Sequence, residues 1–108
     1  MSVTEDVLAD YLAAYPQLSR SQLEEVLSTL STTTSASDGM ETAIAVAIKG
    51  TMPGAAQRIT EYSGADATEY LRILKGALIF TLGQWESPEQ PGPSADRITA
   101  MVENVDGP

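Results

Sequence analysis

The chain has 108 residues, with 15 acidic and 6 basic side chains, no histidine and no cysteine. That length fits one small domain, and the missing Cys and His exclude zinc fingers, thiol or imidazole catalysis and a disulfide framework. A net charge of −9 argues against general affinity for phosphate backbones, because such binding is driven by Lys and Arg displacing counterions.

Hydrophobic residues make up 43% of the chain, yet aromatics only 6%, and alanine supplies much of the apolar count, the composition of small, closely packed helices. The longest apolar stretch, residues 77–80 with Leu82 beyond Thr81, is far below the roughly 18 residues a membrane span needs. No basic start leads into an apolar segment, so a soluble protein of cytosolic origin, away from membranes, is expected. Both ends are acidic, while the middle holds Lys49, Arg58, Arg72 and Lys75 against Glu61, Asp66 and Glu69; charge runs of this kind face water.

In residues 4–15, Val7, Leu8, Tyr11, Leu12 and Tyr15 form one helical stripe. Ser2 and Glu5 resemble a capping box, and Pro16 ends the helix because the residue before a proline is pushed out of the α region. Ser19 or Ser21 caps a second helix, with Gln22 or Glu24 three residues on and Leu23, Val26, Leu27 and Leu30 as its apolar face. Residues 31–37 are almost wholly Ser and Thr, whose hydroxyls compete for backbone hydrogen bonds, and read as a mobile loop. Asp38 and Glu41 cap a third, Ala-rich helix carrying Met40, Ile44, Ala47 and Ile48, expected to be buried. Gly50, Pro53 and Gly54 interrupt it, and helix resumes over 55–62 until Ser63-Gly64 stops it.

Residues 67–85 carry the strongest helical pattern, with Tyr70, Leu71, Leu74, Leu78, Leu82 and Trp85 on one face and Ile73, Ala77 and Phe80 broadening it. Gly76 and Gly83 cost helix stability and signal a close approach of another backbone. Residues 87–94 are Pro-rich and extended, and Ser94 caps a last helix over 95–105 with Ile98, Met101, Val102 and Val105 on one side. No strand pattern and no repeat competes. The expected fold is all-α: a single domain over residues 1–108, a small bundle of five or six helices around the central apolar helix 67–85.

Candidate chemistry is sparse. The acid pairs Glu5-Asp6, Glu24-Glu25 and Glu86-Glu89 would need burial to serve as general acid or base, and the helix register places none of them in an apolar face. Asp38-Gly39 lacks the alternating oxygen ligands of a calcium loop. Lys49-Gly50-Thr51 lacks the upstream glycine and preceding strand of a phosphate-binding loop. Arg58, Arg72 and Lys75 are the only local concentration of positive charge, with an ion pair between Arg72 and Glu69 at i, i+3 as the expected use. The expectation is therefore no enzyme, no cofactor and no metal. Trp85 reads as a core anchor or an interface hot spot.

The segment from Ala55 to Gly64 ending in Tyr62-Ser63-Gly64, then Leu78-Ile79-Phe80-Thr81-Leu82-Gly83-Gln84-Trp85, then a short C-terminal helix, resembles the head-to-tail adaptor (connector) proteins of long-tailed double-stranded DNA viruses. The resemblance covers roughly residues 40–105 and rests on layout, with no diagnostic motif. It implies a structural virion protein, made in the host cytoplasm and located at the head-tail neck. There a ring of about a dozen copies sits beneath the portal, joins it to the stopper or tail-completion protein and surrounds the DNA exit channel. An acidic ring repels phosphates and lets DNA slide through without sequence-specific binding. The segments it matches to partner contact are the loop 87–94, with Pro88, Pro91 and Pro93 after the candidate hot spot Trp85, and the helix 95–105, with Ile98, Met101, Val102 and Val105 as helix-in-groove anchors; the Ser/Thr loop 31–37 is the other candidate contact segment. The alternative from the residues themselves is a cytosolic acidic helical interaction module, a small regulator that binds a basic partner.

Overall fold

Proline and serine set most of the helix boundaries. A computed structural model describes residues 3–31, 40–62, 65–85, 87, 89 and 92–106. It has α1 (Val3–Ala14), a 3₁₀ turn (Tyr15–Gln17), α2 (Arg20–Ser31), α3 (Met40–Ile48), α4 (Pro53–Glu61), α5 (Ala65–Gln84) and α6 (Ala95–Asp106). Pro16 cannot donate to the helix before it, so α1 tightens into the 3₁₀ turn, closed by Leu18 N–H donating to Tyr15 O at 3.1 Å. Ser19 and Gln22 then form a reciprocal capping box: Gln22 N–H donates to Ser19 Oγ at 3.2 Å and Ser19 N–H to Gln22 Oε1 at 2.9 Å.

Pro53 opens α4 at its first helical position, where its missing N–H has no intrahelical partner to lose. The break expected at residues 50–54 is thus a turn between two helices, with Thr51 and Met52 N–H both bonding Ile48 O at 3.1 and 2.7 Å. Ser94 caps α6, accepting from Arg97 N–H at 3.3 Å. The Ser2–Glu5 and Asp38–Glu41 caps, the 32–37 part of the Ser/Thr loop and the Ser63-Gly64 stop lie outside the described residues. Among the described residues there is no strand, and no helix is long and apolar enough to cross a membrane.

These elements form an all-α bundle. The longest helix, α5, lies against α1, α2, α4 and α6, while α3 packs along α4 and touches α2. Its inner face buries Tyr70, Ile73, Leu74, Ala77 and Leu78 against Val7 and Tyr11 of α1, Leu23, Val26 and Leu30 of α2, Ile59 of α4, and Ile98 and Val102 of α6. Each such large side chain contributes roughly 1.5–3 kcal/mol. Two of the hydroxyls inside this core are linked: Tyr11 OH donates to Thr81 Oγ1 at 2.7 Å, and Thr81 passes its own proton to Ala77 O at 2.7 Å. Burial pushes the Tyr11 phenol well above its usual range.

Two expectations are corrected. The third helix is buried only in part: Ile44, Ala45 and Ile48 face inward, whereas Ala47 is exposed and Val46 is 71% exposed. An alanine-rich run has an apolar face on every side, so its periodicity does not say which side is covered. Gly76 and Gly83 do not mark a close approach within the chain, because a Cβ at either position meets nothing within 4 Å. Both lie on the outer side of α5, which is apolar on its inner face but not buried all round: Ile79, between them, is 52% exposed.

Candidate functional site: a braced core and an open surface

The most highly connected polar group joins three helices. Asp6 and Asp10 are four residues apart on α1 and therefore share a face; Arg58 sits on α4, Tyr62 just after it, and Tyr70 on the inner face of α5. Arg58 grips Asp10 with both arms of its fork, Nε to Oδ2 at 3.0 Å and Nη2 to Oδ1 at 3.2 Å, and reaches Asp6 Oδ1 from Nη1 at 3.5 Å. Tyr70 OH donates to Asp10 Oδ2 at 2.7 Å, and Tyr62 OH donates to Asp6 Oδ2. The two phenol rings lie 5.5 Å apart and tilted.

Burial is what gives this cluster its weight. The Asp10 side chain is only 10% exposed and that of Arg58 31%. Desolvation and the neighbouring Asp10 carboxylate together drive the Tyr70 phenol far above its ordinary range, and burial with the Asp6 hydrogen bond pushes Tyr62 up to about 12. The Asp10 hydrogen bonds hold the Arg58 guanidinium charged beyond its already high range. Asp10 has a second duty. Its Oδ1 lies 3.5 Å from where a Cβ on Gly54 would stand, beside the first turn of α4, whose N-cap Met52 offers no side-chain hydrogen bond. The carboxylate supplies the negative charge that a helix N-terminus favours.

The brace overturns the expectation for the Glu5-Asp6 pair: Asp6 is buried on α1 beside Val7, and Asp10, which belonged to none of the expected pairs, is half-buried next to Tyr11. The reason is tertiary, since the cation and phenols that make burial tolerable come from α4 and α5. Its one sequence trace is the coincidence of two i, i+4 pairs, Asp6 with Asp10 and Arg58 with Tyr62. The expected Arg72 to Glu69 ion pair is present on the surface of α5.

A second buried group fixes the chain after α5. Trp85 is buried, packed edge-on against Tyr15 with ring centroids 6.4 Å apart. Its carbonyl accepts from Arg20 Nη1, and Tyr15 OH donates to Pro93 O at 2.8 Å. Gly92 is required here, because a Cβ would lie 2.9 Å from Trp85 Cε3 and collide with the Tyr15 hydroxyl. Tyr15, Trp85 and the Pro93 carbonyl therefore clamp Gly92 and Pro93 to the 3₁₀ turn.

The residues singled out for partner contact are mostly inside this packing. Trp85, Pro93, Ile98 and Val102 are buried in the chain itself, and Met101 is half-buried. Pro88, Pro91 and the Val105 side chain lie outside the described residues. The apolar stripe of α6 is the stripe that closes the core against α1 and α5.

What stands open is elsewhere. Between α3 and α4 runs a groove of about 350 Å³ lined by Ala45, Val46, Lys49, Ala56, Gln57 and Thr60 among others. On α5, Arg72, Gly76, Ile79 and Gly83 recur at i, i+4, i+7 and i+11, with Lys75 beside them. Val46 and Ile79 are the large apolar side chains left exposed among the described residues. Among those residues no group of three or more acids could hold a metal ion. Compared with protein-family models, characterised proteins and solved structures, the chain matches none.

Proposed function

We propose that this chain is a non-catalytic assembly subunit, a head-to-tail adaptor whose helices are organised around α5 and which joins a portal to a stopper or tail protein as a ring of about a dozen copies. The observation that carries this reading is the pairing of a tied interior with an open exterior. Arg58 and the Asp6 and Asp10 carboxylates of α1 are engaged with one another and with two phenols, whereas Val46 and Ile79 stand exposed on two different helices. An isolated exposed leucine or valine is ordinary; an exposed valine at the mouth of an apolar groove, together with an exposed isoleucine between two surface glycines, supports a surface made for protein contact.

In this role shape and contact do the work. The net charge of −9 keeps the surface from holding DNA phosphates, so a duplex moves past it without being bound. The test is electron microscopy of complexes purified through a tag on this chain from its native source. A ring of about a dozen copies on a portal-like partner is the expected result. Free monomers, or complexes with a partner of low symmetry, overturn it.

A further inference from the structure

We infer that the outer strip of α5 of one copy docks into the α3–α4 groove of a second copy, with Ile79 entering beside Val46. The inference rests on the assembly-subunit reading above and names its contact.

The first support is the strip itself. Two glycines in one exposed helix face each lower helix stability by roughly 0.5–1 kcal/mol relative to alanine, and neither is used inside the chain, because the space at their Cβ positions is empty to 4 Å. Their effect is to leave Ile79, 52% exposed, as a ridge with low ground one turn to either side. A ridge of that form fits a groove, and the α3–α4 groove has a mostly apolar lining that includes Val46 and Ala56.

The second support is charge. Lys75 of the strip and Glu61 at the end of α4 have no oppositely charged partner among the described residues. Lys75 stands four residues before Ile79, and Glu61 four residues after the groove residue Gln57. Each charge is thus about one helical turn, roughly 5–6 Å, from a residue of its own patch. Seating Ile79 in the groove with the Lys75 end toward the end of α4 brings the two together. The groove's own cation, Lys49, lies by the turn between the helices and then faces the Gly83 end of the strip, which carries no charge among the described residues. In the reverse direction Lys75 meets Lys49, so charge fixes the polarity of docking. A contact between two different patches is heterologous: each copy uses its strip on one neighbour and its groove on the other, and the series closes as a ring or runs on as a filament.

Sedimentation velocity on the full chain over a range of concentrations tests this. Wild type is expected to self-associate, and Val46→Asp or Ile79→Asp alone to weaken association by about a hundredfold or more, by forcing a carboxylate into an apolar contact. Helix content and thermal midpoint, read by circular dichroism, should stay at the wild-type values because both positions are exposed. The decisive sample is a mixture of the two variants. Val46→Asp retains an intact strip and Ile79→Asp an intact groove, so the mixture forms one-to-one complexes although neither variant associates alone. Lys75→Glu is expected to weaken association by about threefold and Glu61→Lys in the same chain to restore it.

A chain that stays monomeric to about 1 mM, a mixture that does not pair, or association lost on only one of the two Asp substitutions overturns the inference. Native rings that survive both substitutions leave the adaptor reading standing and this contact refuted. Self-association through these patches without native rings does the reverse.

Discussion

The two faces of α5 are built on opposite rules. On the inner face every polar group is matched: Thr81 both accepts from Tyr11 and donates to Ala77, and Tyr70 donates to a carboxylate that Arg58 already holds. On the outer face Ile79 is exposed, and a Cβ on Gly76 would meet nothing within 4 Å. A helix selected only to stabilise its own fold would carry alanine at Gly76 and a polar residue at Ile79. The difference separates what holds the chain together from what it presents to others, so substitutions on the two faces should separate stability from association.

The largest effect is expected at the brace. Asp10→Ala removes both hydrogen bonds from Arg58 and the acceptor of Tyr70, leaving the guanidinium with Asp6 at 3.5 Å as its remaining partner. Breaking a buried pair costs about 3–5 kcal/mol. Because the Arg58 side chain is 31% exposed and partly screened by solvent, about 3 kcal/mol is the expected loss in urea unfolding. Against a typical total of about 5–15 kcal/mol, this is a severe lesion. Ile79→Asp on the opposite face should fall within about 0.5 kcal/mol of wild type. An Asp10→Ala loss below about 1 kcal/mol would show that the brace is solvated in practice, and the contrast between the faces would fail.

Alkaline titration probes the same brace without mutation. Tyr62 is pushed up to about 12, and Tyr70 and Tyr11 are raised further. Facing Tyr62 are Asp6 and Asp10 from α1, Arg58 from α4 and Tyr70 from α5. The native state therefore keeps these phenols protonated where the unfolded chain has begun to ionise. Stability is fully present below about pH 10, the unfolded phenol value, and is lost as pH rises from there through 12. The slope is about 1.4 kcal/mol per pH unit for each phenol ionised only in the unfolded chain. Urea midpoints measured from pH 9 to 12, with phenolate absorbance followed in parallel, should show loss of fold and ionisation rising together. Phenolate absorbance that develops fully near pH 10 in folded protein would contradict the burial of these rings.

What was legible in the sequence was local chemistry. Pro16, the Ser19–Gln22 box, Pro53 and Ser94 act within one helical turn, and the helix ends fall where those residues place them. The apolar stripe of α2 was legible for the same reason, whereas on α5 the covered face takes in Ile73, Ala77 and Thr81, and Leu71 and Leu82 of the expected stripe are only half-buried. Periodicity reveals that a helix has an apolar face but not what covers it. Ile98 and Val102 read equally well as anchors for a partner, and they sit at zero exposure against α1 and α5. The brace was the least visible feature, since Asp6 and Arg58 are 52 positions apart in sequence and neither carries a local sign of the other. Val46 was hidden in a run of alanines, where one more small apolar residue does not stand out until the backbone shows which way it faces.

The smallest effect is also the one that divides the two faces most finely. Gly76 stands in the interior of α5, on its partly exposed outer side, and a Cβ there meets no atom within 4 Å. Gly76→Ala should therefore raise stability, by roughly 0.5–1 kcal/mol, through lower backbone entropy in the unfolded chain and better helix propensity. If the strip seats in a neighbour's groove, the added methyl stands one turn from Ile79 and fills the low ground the groove wall occupies, so association weakens while the fold grows firmer. Thermal melting and sedimentation of the same sample read the two quantities independently. A gain in both would mean that the glycine serves no contact, and the outer face of α5 would then be an unoptimised surface, with only Ile79 left to explain.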